Sequence, residues 1–376
     1  MSAPLLLVAA AALAAAPVRF DPQREVHRDV MKVSHVGPYV SKPTVGTGVV
    51  WSQRVAHGAG ASGVRIHVRV RNGPPSGRWR VCFRDLGGRQ VDDCLAGDSP
   101  ALSSGGTWSG EIPGSGGIVE LVADTSAAGL QIEVDRYLYR AVSPPPTPNP
   151  GTASVVPITK AAPDIRKWGR SVARLRFISQ GMQFTCSAFL VGRDLLLTAQ
   201  FCAPNADAAA TALADFGFDA ADATPTTVRI SRLESASEAV DYALLRLAQA
   251  PDGFGPATLI ADEITVGMPL VVIHHPAGGP KQASIECDVR KVAIRGPRTD
   301  VPTDFGHLCN TLGGSSGAPV LDARTGHPIG LHHLGLAPDS SEGVKQAVAI
   351  GAVLDDLKRH VPAAYAEIIA NRGAER

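Results

Sequence analysis

The chain has 376 residues, a formal net charge of +1 and 19% charged residues, which gives length for two or three compact units but no overall field of the kind that gathers nucleic acid. With 39 glycines, 29 prolines and only 5% aromatic residues, the composition fits a turn-rich, strand-built protein and speaks against a helical bundle.

The chain opens on an apolar stretch. It begins at Leu5-Leu6-Leu7-Val8-Ala9 and runs to Ala16, and Ala12-Leu13-Ala14 offers a small-x-small cleavage site, so residues 1–16 are expected to be a signal peptide even though no Lys or Arg precedes the run. It is too short to span a bilayer, and no later stretch is long and apolar enough to do so. A soluble mature protein, secreted or periplasmic and without membrane contact, is expected. Six cysteines fit such an oxidising compartment. Their spacing suggests the local pairs Cys82–Cys94, Cys186–Cys202 and Cys287–Cys309, although sequence leaves the connectivity open.

Residues 20–142 read as strands. Val64, Ile66, Val68 and Val70 alternate with Arg65, His67, Arg69 and Arg71, and Trp79, Val81 and Phe83 alternate with Arg78, Arg80 and Arg84. Ile118–Val122 and Leu130–Val134 follow. Period-two patterns broken by Gly, Ser and Pro predict a β-sandwich, jelly-roll-like. The arginines of the first pattern are either a basic face for an acidic polysaccharide or a solvated outer face. No catalytic motif falls in this unit.

Ser143-Pro144-Pro145-Pro146-Thr147-Pro148-Asn149-Pro150-Gly151 marks a boundary, since prolines this dense exclude helix and inner strand alike; residues 143–154 are expected to be a stiff linker. Residues 155–370 then read as a second unit, with strands around Val172–Ile178, Phe184–Val191, Tyr242–Leu247, Pro269–Ile273 and Pro319–Leu321. Ile350, Val353, Leu354, Leu357 and Val361 fall at helical spacing near the end, with Asp355 and Asp356 off that stripe.

Chemistry concentrates in this second unit. Cys186-Ser187-Ala188-Phe189-Leu190-Val191, Leu197-Thr198-Ala199 and Cys202 come first, then Asp241-Tyr242-Ala243-Leu244-Leu245. His275-Pro276-Ala277-Gly278-Gly279-Pro280 follows, and Cys309 through Val320 contains Gly313-Gly314-Ser315-Ser316-Gly317; Gly330-Leu331-His332-His333 closes the series. In this order, over roughly residues 160–360, the segments resemble the trypsin-like serine peptidases, and bacterial secreted glutamyl and lysyl endopeptidases in particular. The resemblance implies an all-β fold, a chymotrypsin-like double β-barrel with a C-terminal helix, preceded here by the sandwich.

The resemblance also implies roles. Ser316 stands at the nucleophile, the N–H groups of Gly314 and Ser316 at the oxyanion hole, and Asp241 at the acid that orients the catalytic histidine. That histidine belongs immediately before Cys202, and there the chain has Phe201. A phenyl ring takes up no proton, and a serine hydroxyl without a base is a poor nucleophile at neutral pH. No histidine occurs between Ser143 and Val272, so the first barrel offers no substitute, and His274, His275 and His307 belong to the second barrel. Ser315 stands where animal members carry an aspartate that pairs with a freshly cut amino terminus, so activation of that kind is not expected. Asn310, His332 and His333 would line the specificity pocket. Asn310 argues against a preference for Lys or Arg, and His332 aligns with a histidine that glutamyl endopeptidases set against an acidic side chain.

No metal-ligand pattern or phosphate-binding glycine loop stands out, and no cofactor is expected. The sequence therefore reads as a secreted serine peptidase homologue, a pseudoprotease that binds peptide or protein without efficient cleavage. The alternatives are an active endopeptidase with a non-standard base, and an envelope- or polysaccharide-binding protein acting through residues 20–142. In the first reading Asp241 faces Phe201 without a cationic partner.

Overall fold

The computed structural model describes residues 27–28, 31–141 and 154–371, apart from 42–45, 59, 74–76, 103–105, 125–128, 180, 297 and 337–342. The expected signal peptide at 1–16, and the linker up to residue 153, lie outside the described residues.

Two sheets face each other in the amino-terminal unit. One runs in the order Met31–Val40, Gln131–Ala141, Ala61–Asn72, Thr107–Trp108, with Ile112–Pro113 also paired to Ala61–Asn72. The other runs Gly48–Ala56, Gly116–Ala123, Trp79–Asp85, Leu95–Ala96. Val64, Ile66 and Val68 from one sheet and Val81, Phe83, Val119 and Leu121 from the other fill the space between them. The Cys82–Cys94 disulfide closes the hairpin at the end of the second sheet.

The strict alternation of 64–71 holds only in part. Arg65 and His67 are as buried as their apolar neighbours. Alternation implies one wet face only when nothing covers that face, and here the outer face of the sheet lies against the second unit. Arg65 donates Nε to the Ser109 carbonyl at 2.8 Å, Nη1 to Gln183 Oε1 at 3.1 Å and Nη2 to the Thr211 carbonyl at 2.9 Å. Arg69 and Arg71 both pair with Glu133. Neither reading of these arginines fits Arg65, which is sealed in a contact, and Arg69 and Arg71 share one buried carboxylate that offsets one of their two charges.

Two closed antiparallel barrels make up the second unit. In the first, Met182–Leu190, Val172–Ser179, Leu213–Phe216, Thr226–Ser237, Tyr242–Leu247 and Leu195–Ala199 follow one another, and the last pairs back to the first. His27–Arg28 adds a short strand beside Met182–Leu190, so the amino-terminal span contributes to this sheet. In the second barrel, Gln282–Arg295, Pro269–His274, Pro319–Asp322, Pro328–Leu334, Lys345–Ala349 and Pro302–His307 close in the same way, with Ser154–Pro157 paired at the margin. The fold is a chymotrypsin-like double β-barrel carrying an additional β domain. Disulfides Cys186–Cys202 and Cys287–Cys309 cross-link one barrel each.

The barrels meet over a common core. Val172, Leu197 and Leu244 of the first and Val271, Leu321 and Leu331 of the second join Val353, Leu354, Leu357 and Ile368 from the chain end. The single terminal helix expected from sequence is two, Ile350–His360 and Pro362–Ala370. Proline has no N–H to continue the first helix, but it suits the first turn of a new one. Asp356, read as off the buried stripe, is buried and accepts a hydrogen bond from the Tyr242 hydroxyl at 2.9 Å. Among the described residues no helix is long and apolar enough to cross a membrane.

Candidate active site

The serine turn is a backbone structure that only glycine permits at two points. Gly314 has φ +100°, and a Cβ there would stand 2.5 Å from the His275 carbonyl oxygen. Gly317 has φ +84°, and a Cβ there would stand 2.1 Å from the Ser187 carbonyl oxygen. A side chain at 317 would press against Ser187 and Thr198 of the first barrel, and one at 314 against the His275–Gly278 turn of its own barrel. Ser187 fastens the turn from the first barrel: its N–H donates to the Ser316 carbonyl at 2.8 Å and its hydroxyl to the Gly314 carbonyl at 2.9 Å. The hydroxyl also accepts from the His275 N–H at 2.9 Å. Ser315 turns away from the nucleophile position, its Oγ lying 2.7 Å from His274 Nδ1 and accepting the Leu312 N–H. The N–H groups of Gly314 and Ser316 meet no acceptor among the described residues.

Phe201 sits at the end of the first-barrel strand Leu195–Ala199, 2% exposed, in one apolar cluster with Leu196, Ala199 and Cys202. Burial of an aromatic ring of this kind contributes about 2–3 kcal/mol. Packing here is favoured by a ring that takes up no proton.

Asp241 lies just before the strand Tyr242–Leu247, in the left-handed region at φ +50°, which a short polar side chain tolerates best after glycine. It is buried and it has a partner. Its Oδ2 is 2.9 Å from His333 Nδ1, and the opposite ring nitrogen, Nε2, is 2.8 Å from Asp304 Oδ2. The expectation that Asp241 lacks a cationic partner is corrected. With a carboxylate at each nitrogen, the ring is held as an imidazolium that donates both N–H groups. Burial opposes that charge, but Asp304 and Asp241 outweigh it and push the His333 pKa up to about 10. The cluster spans the barrels, with Asp241 from the first, and His333 and Asp304 from the second.

His333 is accordingly not a pocket lining residue, as sequence placed it, but a buried ionic bridge with no exposed surface. Its main chain takes the nucleophile's hydrogen: Ser316 Oγ donates to the His333 carbonyl at 3.2 Å. That is the one side-chain hydrogen bond of Ser316 among the described residues, and its acceptor is a carbonyl rather than an imidazole. Ser316 itself has no exposed surface.

Three further histidines of the second barrel have partners there. His307 Nε2 lies 3.1 Å from His332 Nδ1, and burial, with the positive groups around it, keeps the His307 pKa well below the usual histidine range. His275 is likewise held well below that range by burial, and its Nδ1 is 2.9 Å from the Gly279 carbonyl. Asn310 is half-buried and donates its N–H to Ser284 Oγ at 2.7 Å. Beside it, Lys345 donates Nζ to the carbonyl and hydroxyl of Thr311 at 2.8 and 2.9 Å. The motifs thus bring Ser316, Asp241, Gly314 and Phe201 to one place. The main chain of His332 also joins the serine turn, its carbonyl accepting the Gly317 N–H at 2.7 Å, while its ring is turned to His307. Asp304 and Lys345 carry no motif in sequence. Among the described residues no group of His, Cys, Asp and Glu could hold a metal ion. A recess of about 590 Å³ lies between the loop 90–99 and residues 227–229, away from Ser316, and one of about 520 Å³ lies beside Trp168 and Ile285.

Residues 186–331 match the family model described as trypsin-like peptidase domain. Among curated proteins, a secreted RxLR effector protein of Plasmopara viticola is 26% identical over 189 residues, and the match takes in 46% of each chain, so this chain spans about half the length of that relative. Among solved structures, the Rv3671c protease of M. tuberculosis in its active form shares 21% identity over 58% of this chain and 93% of its own, with a TM-score of 0.43. A scabies mite inactivated protease paralogue shares 16% identity over 52% of this chain and 97% of its own, with a TM-score of 0.44. The matched segment contains Phe201, Asp241 and Ser316 and lies wholly within the double barrel, so the likeness to the trypsin-like peptidase domain is one of the carboxy-terminal unit.

Proposed function

We propose that this protein is a secreted pseudoprotease that binds a polypeptide partner without cleaving it. One observation carries the reading. The two groups that should activate Ser316 are both occupied otherwise: Phe201 stands where the base belongs, and Asp241 is bound to His333, whose carbonyl holds the Ser316 hydroxyl. Acyl transfer needs an attacking oxygen about 3–3.5 Å from the carbonyl carbon and a group to take its proton. A buried Ser316 with its hydrogen on a carbonyl has neither. Loss of the base alone costs on the order of 10⁶ in turnover in the serine proteases where it has been measured.

Ser187, Gly314 and Gly317 still hold the turn in a peptidase-like form, which supports retention of the cleft for binding. Three disulfides and the apolar stretch at 1–16 support export.

The test is to pass a mixed peptide library over the immobilised protein and over Ser316→Ala, followed by mass spectrometry of bound and unbound fractions. The reading expects the same peptides retained intact by both. New fragments made by the wild type and not by the alanine variant would reject it in favour of an endopeptidase with an unorthodox base.

A further inference from the structure

The contact between the sandwich and the first barrel centres on residues 108–111, together with Arg65 and Asp92, which hold that segment and reach Gln183, Thr211 and Arg229 of the barrel. Over residues 108–111, the Trp108 carbonyl accepts Arg229 Nη1 at 3.1 Å, the Ser109 carbonyl accepts Arg65, the Gly110 N–H donates to Asp92, and Glu111 pairs with Arg176. Trp108 packs with Met31, Leu138 and Ile178, so residues of both units share one apolar cluster.

From Glu111 a continuous set of buried charges leads inward. Glu111 takes Arg140 of its own unit and Arg176 of the barrel. Arg176 donates Nε and Nη2 to Asp215 at 2.7 and 2.8 Å. Arg174 donates Nε to the same carboxylate at 2.9 Å, lies 3.9 Å over the Phe218 ring and donates Nη1 to the Gly278 carbonyl at 3.0 Å. Gly278 belongs to the turn Pro276–Gly278, whose Ala277 N–H donates to the Gly313 carbonyl at 2.6 Å, next to Gly314.

We propose that the sandwich is a resident positioning domain for the turn that bears Ser316, and that it acts through the Glu111 carboxylate. Two buried guanidiniums share Asp215, and a single carboxylate cannot satisfy both. Glu111 supplies the second negative charge: it takes the remaining Nη1 of Arg176, so that Asp215, with Arg176 on both its oxygens, also carries Arg174 in its place under Gly278. Burial opposes ionisation of Glu111, but Arg176 and Arg140 overcome it and hold its pKa at about 2, so the charge is present at any physiological pH. Without it two buried guanidiniums are left to one carboxylate, their repulsion displaces Arg174 from the Gly278 carbonyl, and the support under Gly313 and Gly314 loosens. Coupling between two sites of a protein is typically about 5–150-fold.

Hydrogen exchange read by mass spectrometry on the full chain tests the proposal, with Glu111→Gln against Asp92→Asn. Both variants weaken the same seam, but only the first cuts the relay. Peptides spanning 274–280 and 311–318 should exchange about fivefold faster or more in Glu111→Gln, and at the wild-type rate in Asp92→Asn. Unchanged exchange in Glu111→Gln, or an equal rise in both, would overturn it. Should Glu111→Gln not fold, Arg174→Met cuts the last link from within the barrel and must raise the same exchange; wild-type rates there are equally fatal. Neither readout depends on whether Ser316 reacts, so failure here leaves the pseudoprotease reading untouched.

Discussion

Asp241 and His333 are joined by a 2.9 Å hydrogen bond between Oδ2 and Nδ1, across the boundary of the two barrels. An acid whose place in the peptidase pattern is behind a catalytic histidine here holds a structural one, and the same histidine carries the carbonyl on which the Ser316 hydrogen rests. Around Ser316 the acid is thus already engaged, and position 201 is filled by a packed aromatic ring.

Replacing Phe201 by histidine is accordingly expected to restore little. In Phe201→His the new ring finds Asp241 already engaged, and the variant should stay within about tenfold of wild type in hydrolysis of an activated ester, far from the 10⁶ that a working base contributes. A rise of several orders of magnitude would show that Asp241 is free to change partners.

Removing the histidine should be costly in stability. His333→Ala leaves Asp241 and Asp304 buried without the cation between them, and breaking a buried ionic group in this way typically costs about 3–5 kcal/mol. Chemical denaturation of the variant against wild type measures it. A loss below about 1 kcal/mol would mean that the cluster contributes no more than a surface pair.

The same cluster predicts a pH signature. The folded-state pKa of His333 is raised from 6.5 to about 10, so the native state keeps a proton that the unfolded chain gives up. Its stabilisation is fully present below pH 6.5 and is lost as pH rises toward 10. The stability difference between wild type and His333→Gln should therefore shrink across that window. A difference that stays constant from pH 6 to 10 would contradict the bridge.

Arg65 gives the corresponding prediction for the seam. Burial, with the neighbouring cations Arg176 and Arg229, lowers its pKa to about 9 while it bridges three acceptors. Arg65→Met should destabilise the full chain by about 3 kcal/mol through acceptors left unsatisfied. In addition, a cleavage site inserted within 144–150 and cut should leave the two parts co-eluting on gel filtration. Separation of the parts after cutting would show the seam too weak to hold alone.

How much of this was legible in the sequence depended on the range of the interaction. Gly314 and Gly317 announced themselves because backbone geometry excludes every other residue at those points, and such demands repeat wherever the turn occurs. The strand runs were legible for a similar reason, since apolar periodicity is local. His333 was visible as a residue but not in its role, because its partners lie 92 and 29 positions away and no spacing links them. Arg65 was misread because alternation reports two faces without reporting what covers each. Asp356 failed the same way: a helical stripe shows the main buried side, not the single polar contact to Tyr242 at its margin.

The central claim, that nothing activates Ser316, is tested most directly by fluorophosphonate labelling of the purified protein at pH 8, with intact mass as readout. The account predicts no adduct beyond that seen with Ser316→Ala, under conditions that fully label active trypsin. Stoichiometric labelling of the wild type, absent in Ser316→Ala, would contradict it.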